Sequence, residues 1–469
     1  MLKLKKTISQ LDQGVFKTLE GTLVKNKADN FLFLLQSYKK DIKDDEITKT
    51  LNLNSNSFYV LKSRLYDKIQ DHLSGDIYLS KEELIKKLHL IPQMCFSEPR
   101  EITTAFLLKL EKDLLEYDMH NELLLVYSAL KKIHLYSEKY FQYSQLFNKH
   151  IAFSLSLEKC EEILGNFNRL FGQYNFSKLP KLLETLLFIR QDIADHYALN
   201  QSRQIEIIKN FIELQLCIFC NTNIANENNI EELLKHTQKI LNELPASSTH
   251  KNWVPALDYL FFEYYYKTKQ NKLALLYYEK VNNSFHTLLL FTNICNTSRF
   301  LISKIAFLQE QERTSDLLLD NAIIKVFDNN DTHTKVLIGI YNSMISYYSG
   351  KNKEAACKLN EVLNNTSFKD YFHINTNIKL TLAFFYICLK DYDMAESITK
   401  SIYRKIKSEN IHNYPNALNL IKVFEADIKQ RNDRINEKQK DDLTLFSARN
   451  TNECDLLQHL AFELKKKYC

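Results

Sequence analysis

From about residue 79 onward, apolar residues recur at three- and four-residue intervals, in stretches separated by short polar joints. The first stretch opens with Ser80-Lys81-Glu82-Glu83, where a Ser and a Glu three residues later can satisfy the free N–H groups of a helix start. Leu84, Leu88 and Ile91 follow on one face. Joints rich in Asn, Asp and Ser fall at 221–229, 247–249 and 329–331. Residues 1–78 carry a pattern of their own, closed by the turn signal Ser74-Gly75-Asp76. The pattern predicts helix after helix.

The second half repeats itself. The segments 269–281, 310–322, 350–362 and 390–402 can be superposed, each with a polar loop and then a small residue early in a helix. Those small residues are Ala274, Ser315, Ala355 and Ala395, spaced 41, 40 and 40 apart. Four residues after each comes Tyr278, Leu319, Leu359 or Thr399, and three further on Val281, Ala322, Val362 or Ile402. Small, then i+4, then i+7 is one helix face. The small side chain lets two helices of a pair approach, and the later two fill the gap to the next pair. A lone pair cannot bury its apolar face, so pairs must stack.

Gly350-Lys351-Asn352-Lys353-Glu354-Ala355 and Lys390-Asp391-Tyr392-Asp393-Met394-Ala395 resemble the loop and helix-packing Ala of tetratricopeptide repeats, and Ala383 and Tyr386 fit that family's first helix. The period here is near 40, and the family's terminal Pro is absent. As a whole the chain is also similar to bacterial helical-repeat proteins with a short N-terminal helical domain, a resemblance that implies no activity. The expected fold is all-α: a right-handed α-solenoid of stacked antiparallel helix pairs behind a small N-terminal helical domain. The expected divisions are 1–78 for that domain, 79–250 for degenerate repeats, 251–430 for tetratricopeptide-like repeats and 431–469 for a capping helix and tail.

Composition agrees. Seven Gly and six Pro in 469 residues leave too few punctuating positions for the many tight turns of a doubly wound α/β enzyme or a β-sandwich. A net charge of +5 is mild and gives no concentrated basic field. The N-terminal lysines Lys3, Lys5 and Lys6 are followed by a polar stretch, not the apolar core of an export signal. The longest apolar runs, such as 380–389, are about half the ~20 residues a membrane span needs. Nine Cys at irregular spacing make no disulfide framework. These features predict a cytoplasmic protein with no membrane partner.

Candidate chemistry is sparse. Phosphate-cradling glycine loops, H-E-x-x-H and G-x-S-x-G are all absent. Cys217-Ile218-Phe219-Cys220 is a lone C-x-x-C within an apolar helix pattern; a zinc site needs four ligands, so both Cys are expected to be buried and structural. The 13 His are dispersed with none at ligand spacing. No catalytic residue, metal ligand or cofactor site is assigned, and the chain is read as a non-enzyme.

Two binding surfaces are candidates. Residues 46–69 resemble a helix-turn-helix of the kind found in response-regulator effector domains and sigma-factor C-terminal domains. Ile47, Leu51, Leu53, Phe58, Leu61, Leu65 and Ile69 would face inward, and Asn54 or Ser55 would cap the second helix. Asn56, Tyr59, Lys62, Ser63 and Arg64 would face DNA. Against this, residues 1–75 hold 13 Lys/Arg and 9 Asp/Glu, which is thin for a DNA reader. The other reading is a cap on the open end of the solenoid. The second candidate is a concave groove lined by the first helix of each pair, with Tyr259, Glu263, Tyr266, Lys267, Phe300, Lys304, Tyr347, Tyr348 and Phe384, joined by Phe307 and Met344. Aromatic residues with a few charges suit a peptide, although such stripes also serve as packing. Tyr264, Tyr265 and Tyr266 point about 100° apart, so one of them must reach a surface or a second interface. The expected function is a non-catalytic scaffold holding a peptide or protein in that groove. The alternative is a peptide-responsive transcription regulator with the N-terminal motif on DNA.

Overall fold

The structure, a computed structural model, describes residues 13–25, 28–40, 42–51, 53–78, 81–220, 227–243, 248–284, 297–319, 332–408 and 414–430, with Leu4, Ile8 and a few positions between 437 and 467. Among the described residues there is no strand, and the fold is all-α. Two compact units divide it: residues 1–168 with 187–295, and residues 169–186 with 296–469.

In the first unit, α1 (Gln13–Lys25), α2 (Asp29–Lys39), α3 (Asp44–Leu51) and α4 (Ser55–Tyr78) share one core, built from Leu4, Leu23, Leu34, Ile47, Phe58, Leu65 and Ile69 among others. Ile47, Phe58, Leu65 and Ile69 are buried as expected, with Leu51, Leu53 and Leu61 packed at the edge. Asn54 caps α4, its Oδ1 accepting from the Ser57 N–H at 2.8 Å. The turn expected at 74–76 is instead helical. One Gly inside a helix costs only about 1 kcal/mol, and no Pro follows to end it.

Next come α5 (Lys81–Ser97), α6 (Arg100–Glu116), α7 (His120–Ile133), α8 (Lys139–Ser177), α9 (Pro180–Leu199), α10 (Arg203–Cys220), α11 (Glu227–Glu243), α12 (Ser248–Lys267) and α13 (Asn271–Asn283). α8 starts in the first unit and ends in the second. Leu84, Leu88 and Ile91 of α5 join Leu107, Leu114, Leu123 and Leu130 in a second core. Ser80 and the side chains of Glu82 and Glu83, the expected capping box, lie outside the described residues. In the second unit, α14 (Phe300–Glu310), α15 (Ser315–Leu319), α16 (Thr332–Tyr348), α17 (Asn352–Asn365), α18 (Phe372–Cys388), α19 (Tyr392–Ser408) and α20 (Pro415–Gln430) follow. Consecutive helices pack on one another: in the first unit α6 on α7, α10 on α11, α11 on α12 and α12 on α13, and in the second α16 on α17, α17 on α18, α18 on α19, and α20 on both α18 and α19. This is the helical-repeat stacking expected of the sequence.

One turn recurs. Lys269, Glu312, Gly350 and Lys390 all have φ between 57° and 76°. At each, its own N–H donates to the carbonyl three residues back, and the next N–H to the carbonyl five residues before itself. This is the Schellman motif, a helix end with a left-handed residue that satisfies free carbonyls. Asp118, at φ 55°, makes the same pair of bonds between α6 and α7. The buried packing residue stands five positions after each of these turns: Ala274, Leu317, Ala355, Ala395 and, in the first unit, Leu123, all 0% exposed. The expected register therefore holds at Ala274, Ala355 and Ala395 and fails at Ser315, which is exposed at the start of α15 while Leu317 takes its place. Tyr278, Val281, Leu359, Thr399 and Ile402 are buried as the register requires. The side chain of Leu319, all of Ala322 and the joints at 221–226 and 329–331 lie outside the described residues.

Candidate functional site

The aromatic stripe falls in two parts, one in each unit. In the first unit α12 is enclosed by α10, α11 and α13. Tyr259, Glu263 and Tyr266 are buried there. Tyr259 stacks on Phe219 of α10 at 6.1 Å, and Tyr266 lies parallel to Phe262 at 5.8 Å. Lys267 is exposed, and its ammonium donates to the Ile218 carbonyl and lies over the Phe219 ring. Tyr264, Tyr265 and Tyr266 are all buried, because three neighbouring helices receive the three directions; the Tyr265 hydroxyl donates to Glu231 of α11 at 3.2 Å. In this unit the expected open groove is corrected to packed interior.

In the second unit Phe300, Lys304, Phe307, Met344 and Phe384 are likewise buried. The first helices of successive pairs touch one another, and the stripe forms their seam. Tyr347 of α16 meets Phe384 and Phe385 of α18 at 5.8 and 5.2 Å, and Phe384 meets Phe424 of α20 at 6.4 Å. Aromatic pairs at these separations add to area burial. Tyr347 and Tyr348 remain partly exposed. Onto them comes the far end of the chain. Glu463 accepts a hydrogen bond from the Tyr347 hydroxyl at 3.0 Å through Oε2 and from Gln309 Nε2 of α14 at 3.0 Å through Oε1. Leu464 is fully buried, and Lys467 Nζ stands 3.0 Å from Oδ2 of the buried Asp427 on α20. Burial and the Glu463 carboxylate together raise the pKa of both Tyr347 and Tyr348 far above the usual tyrosine range, so each keeps its proton as a donor. The Tyr348 hydroxyl and Gln309 Oε1 are buried without a hydrogen-bond partner among the described residues.

The N-terminal motif is split in its exposure. Asn56, Tyr59, Ser63 and Arg64 are exposed on α4. Lys62 is buried: its ammonium stands 2.9 Å from Asp44 Oδ2 and 4.5 Å from the centre of the Phe58 ring. Its assignment to DNA is corrected, since an ion pair and a cation–π contact hold the cation inward.

Other polar groups converge where no motif announced them. His120 and His150, from α7 and α8, bring their Nδ1 atoms to 3.0 Å, and Asp118 Oδ1 is 3.1 Å from His120 Nε2. Phe153 stacks on His120, and Tyr127 on His150. Burial first, then His120, pushes the His150 pKa down to about 4. Thirty residues separate the two His, so only the helix pairing unites them. Cys217 is buried, and burial with the neighbouring Glu213 pushes its thiol up to about 12, a structural thiol and not a reactive one. Glu213, four residues before Cys217, is bound in turn by Arg190, whose Nη2 donates at 2.8 Å. Among the described residues no group of three or more His, Cys, Asp or Glu is placed to hold a metal ion, and no helix is long and apolar enough to cross a membrane. A surface groove of about 490 Å³ between α16 and α17, lined by Lys335, Asn342, Lys358 and Glu361, carries both charge signs and no convergent polar set. Comparison of the chain with protein-family models, with curated proteins and with solved structures gives no match in any of the three.

Proposed function

We propose that the chain is a non-catalytic protein-interaction scaffold of tetratricopeptide-like build, acting in the cytoplasm, whose first-helix face in the second unit holds a segment of a partner protein. One observation carries this reading. Gln309, Tyr347 and Asp427, on three different helices of the stack, together hold Glu463 and Lys467, residues more than 35 positions away in sequence from any of them. A face that binds one peptide segment through polar groups set in an aromatic seam has the composition of a recognition surface. The partly exposed residues supporting it are Tyr347 and Tyr348, with Phe384, Phe300 and Lys304 buried in the same unit; Tyr259, Glu263 and Tyr266 pack inside the first unit and take no part in this face. The test is co-purification from the native cell, comparing wild type with Gln309→Ala/Asp427→Asn. A stoichiometric partner retained by wild type and lost by the variant is the expected result, and an identical partner set in both removes the reading.

The alternative, a regulator with α4 on DNA, keeps one observation in its favour: Asn56, Tyr59, Ser63 and Arg64 share an exposed helix face. With Lys62 turned inward, Arg64 is the remaining cation of the five, so binding through this face would show a shallow salt dependence. A DNA shift assay at two salt concentrations tests it. Tight binding lost in Arg64→Ala would move DNA ahead of the scaffold.

A further inference from the structure

We infer that the face of α14, α16 and α20 is a binding site for an amphipathic partner helix bearing a carboxylate, an apolar residue one position on and a cation four positions on. Glu463, Leu464 and Lys467 hold this site as an internal ligand until such a helix displaces them. The inference rests on the scaffold reading and names its partner chemistry.

Polarity is the first ground. The seam between first helices is apolar and aromatic, and a polar group buried in it costs free energy unless partnered. Gln309 is 2% and Asp427 0% exposed, and the Tyr347 hydroxyl keeps its proton. The far end of the chain answers all three: Glu463 takes the amide and the phenol, and Lys467 takes the carboxylate. Groups needed only for packing a terminal helix would be apolar; a carboxylate at zero exposure specifies what must lie against it.

Spacing is the second. Glu463, Leu464 and Lys467 are all helical; Glu463 and Lys467 are neighbours at i and i+4, and Leu464 and Lys467 at i and i+3. Any helix with that spacing presents the same carboxylate to Gln309 and Tyr347 and the same cation to Asp427. The fit of the internal ligand is also incomplete. Glu463 stays partly exposed, and the Tyr348 hydroxyl and Gln309 Oε1 are buried without a hydrogen-bond partner among the described residues. Buried polar atoms are rarely left so. A partner offering one more acceptor and one more donor there would bind more tightly than the chain's own end. Because removing a cation from a buried carboxylate is costly, the exchange is a replacement of one cation by another and not an opening.

The experiment uses the full chain and a labelled peptide spanning residues 455–469, made with Cys469→Ser, read by fluorescence anisotropy. In the chain Leu464→Asp/Lys467→Glu, a carboxylate faces Asp427 and the internal ligand is expelled. This chain is expected to bind the peptide at least tenfold more tightly than wild type does. On it, peptides carrying Glu463→Gln or Lys467→Ala are expected to bind at least fivefold more weakly. Equal affinity of the two chains, at equal helical circular dichroism, overturns the inference. If the double variant loses helicity, Glu463→Gln in the chain replaces it, with a threefold tightening expected and no change overturning. Peptide binding as expected, with no protein partner in the native cell, would overturn the scaffold reading alone. A native partner lost by Gln309→Ala/Asp427→Asn, with no peptide binding to either chain, would overturn this inference and leave the scaffold reading standing.

Discussion

Asp258 is half-buried and His150 buried in the first unit, and desolvation acts on their stability linkage with opposite signs. Desolvation raises the Asp258 carboxyl to about 6, with Lys280 at 3.9 Å offsetting only part of it. A raised carboxylate pKa means that the folded state holds its proton longer than the unfolded chain, so the associated stability is lost as pH rises from about 4 to about 6. Asp258→Asn is expected to raise stability at pH 7 by about 1 kcal/mol and to change it little at pH 4, read from urea midpoints. For His150 the order reverses. Its pKa falls to about 4, through burial, His120 and Lys149 and against Asp118, so stability is present above about 6.5 and lost as pH falls toward 4. His150→Phe, which keeps a ring against Tyr127 and Phe153, is expected to flatten the urea midpoint between pH 6.5 and 4. An unchanged slope would show that another group titrates there. Neither residue is conspicuous in the sequence: Asp258 reads as an ordinary polar position in a helix, and His150 as one of 13 scattered His. Burial is a property of neighbours, and the neighbours are supplied by other helices. Lys62 teaches the same point, since its residue type suited DNA while Asp44 and Phe58 decided its direction.

At the scale of the element, the helix pairs were legible because their information is local. Ala274, Ala355 and Ala395 lie in the shared register, and the loops before them hold the αL turn. The unit around Ser315 was misread by two residues because residue size was the marker there, and Leu317 fills the packing position with a larger side chain. The backbone turn at Glu312, five residues before Leu317, is the dependable marker, yet no residue type announces it: Lys, Glu, Asp and Gly all occupy it. A second close contact was missed for a similar reason. Gly339 of α16 faces Val362 of α17, and a Cβ built on Gly339 would overlap the Val362 γ-methyl. The i+7 residue of the repeat thus packs on bare backbone. Gly339→Ala is expected to cost about 1–3 kcal/mol. Val362→Ala in the same chain should recover most of that loss, a coupling that a double-mutant cycle of thermal midpoints would measure. Additive losses would place the strain elsewhere.

For the whole molecule, some large apolar side chains support no interior at all. Phe96 and Tyr136 are each 98% exposed, and Arg100 Nη2, 3.1 Å from His134 Nδ1, brings the end of α5 to the end of α7 where they stand. Phe96→Ser/Tyr136→Ser is expected to leave the urea midpoint within about 0.5 kcal/mol of wild type and to shorten retention on a hydrophobic-interaction column. A large fall in stability would mean that these rings are covered. Helix class, the paired arrangement and most inward faces followed from the sequence by itself, because 3.6-residue periodicity and scarce Gly and Pro act within a few residues of each position. Which aromatic residues would be seam and which surface was decided only in the tertiary structure. Tyr259 and Tyr347 have the same local pattern, but three helices enclose the first, while Glu463, more than a hundred residues further along, lies against the second. Long-range apposition has no period to read. It exists once stacked helices have fixed which faces meet.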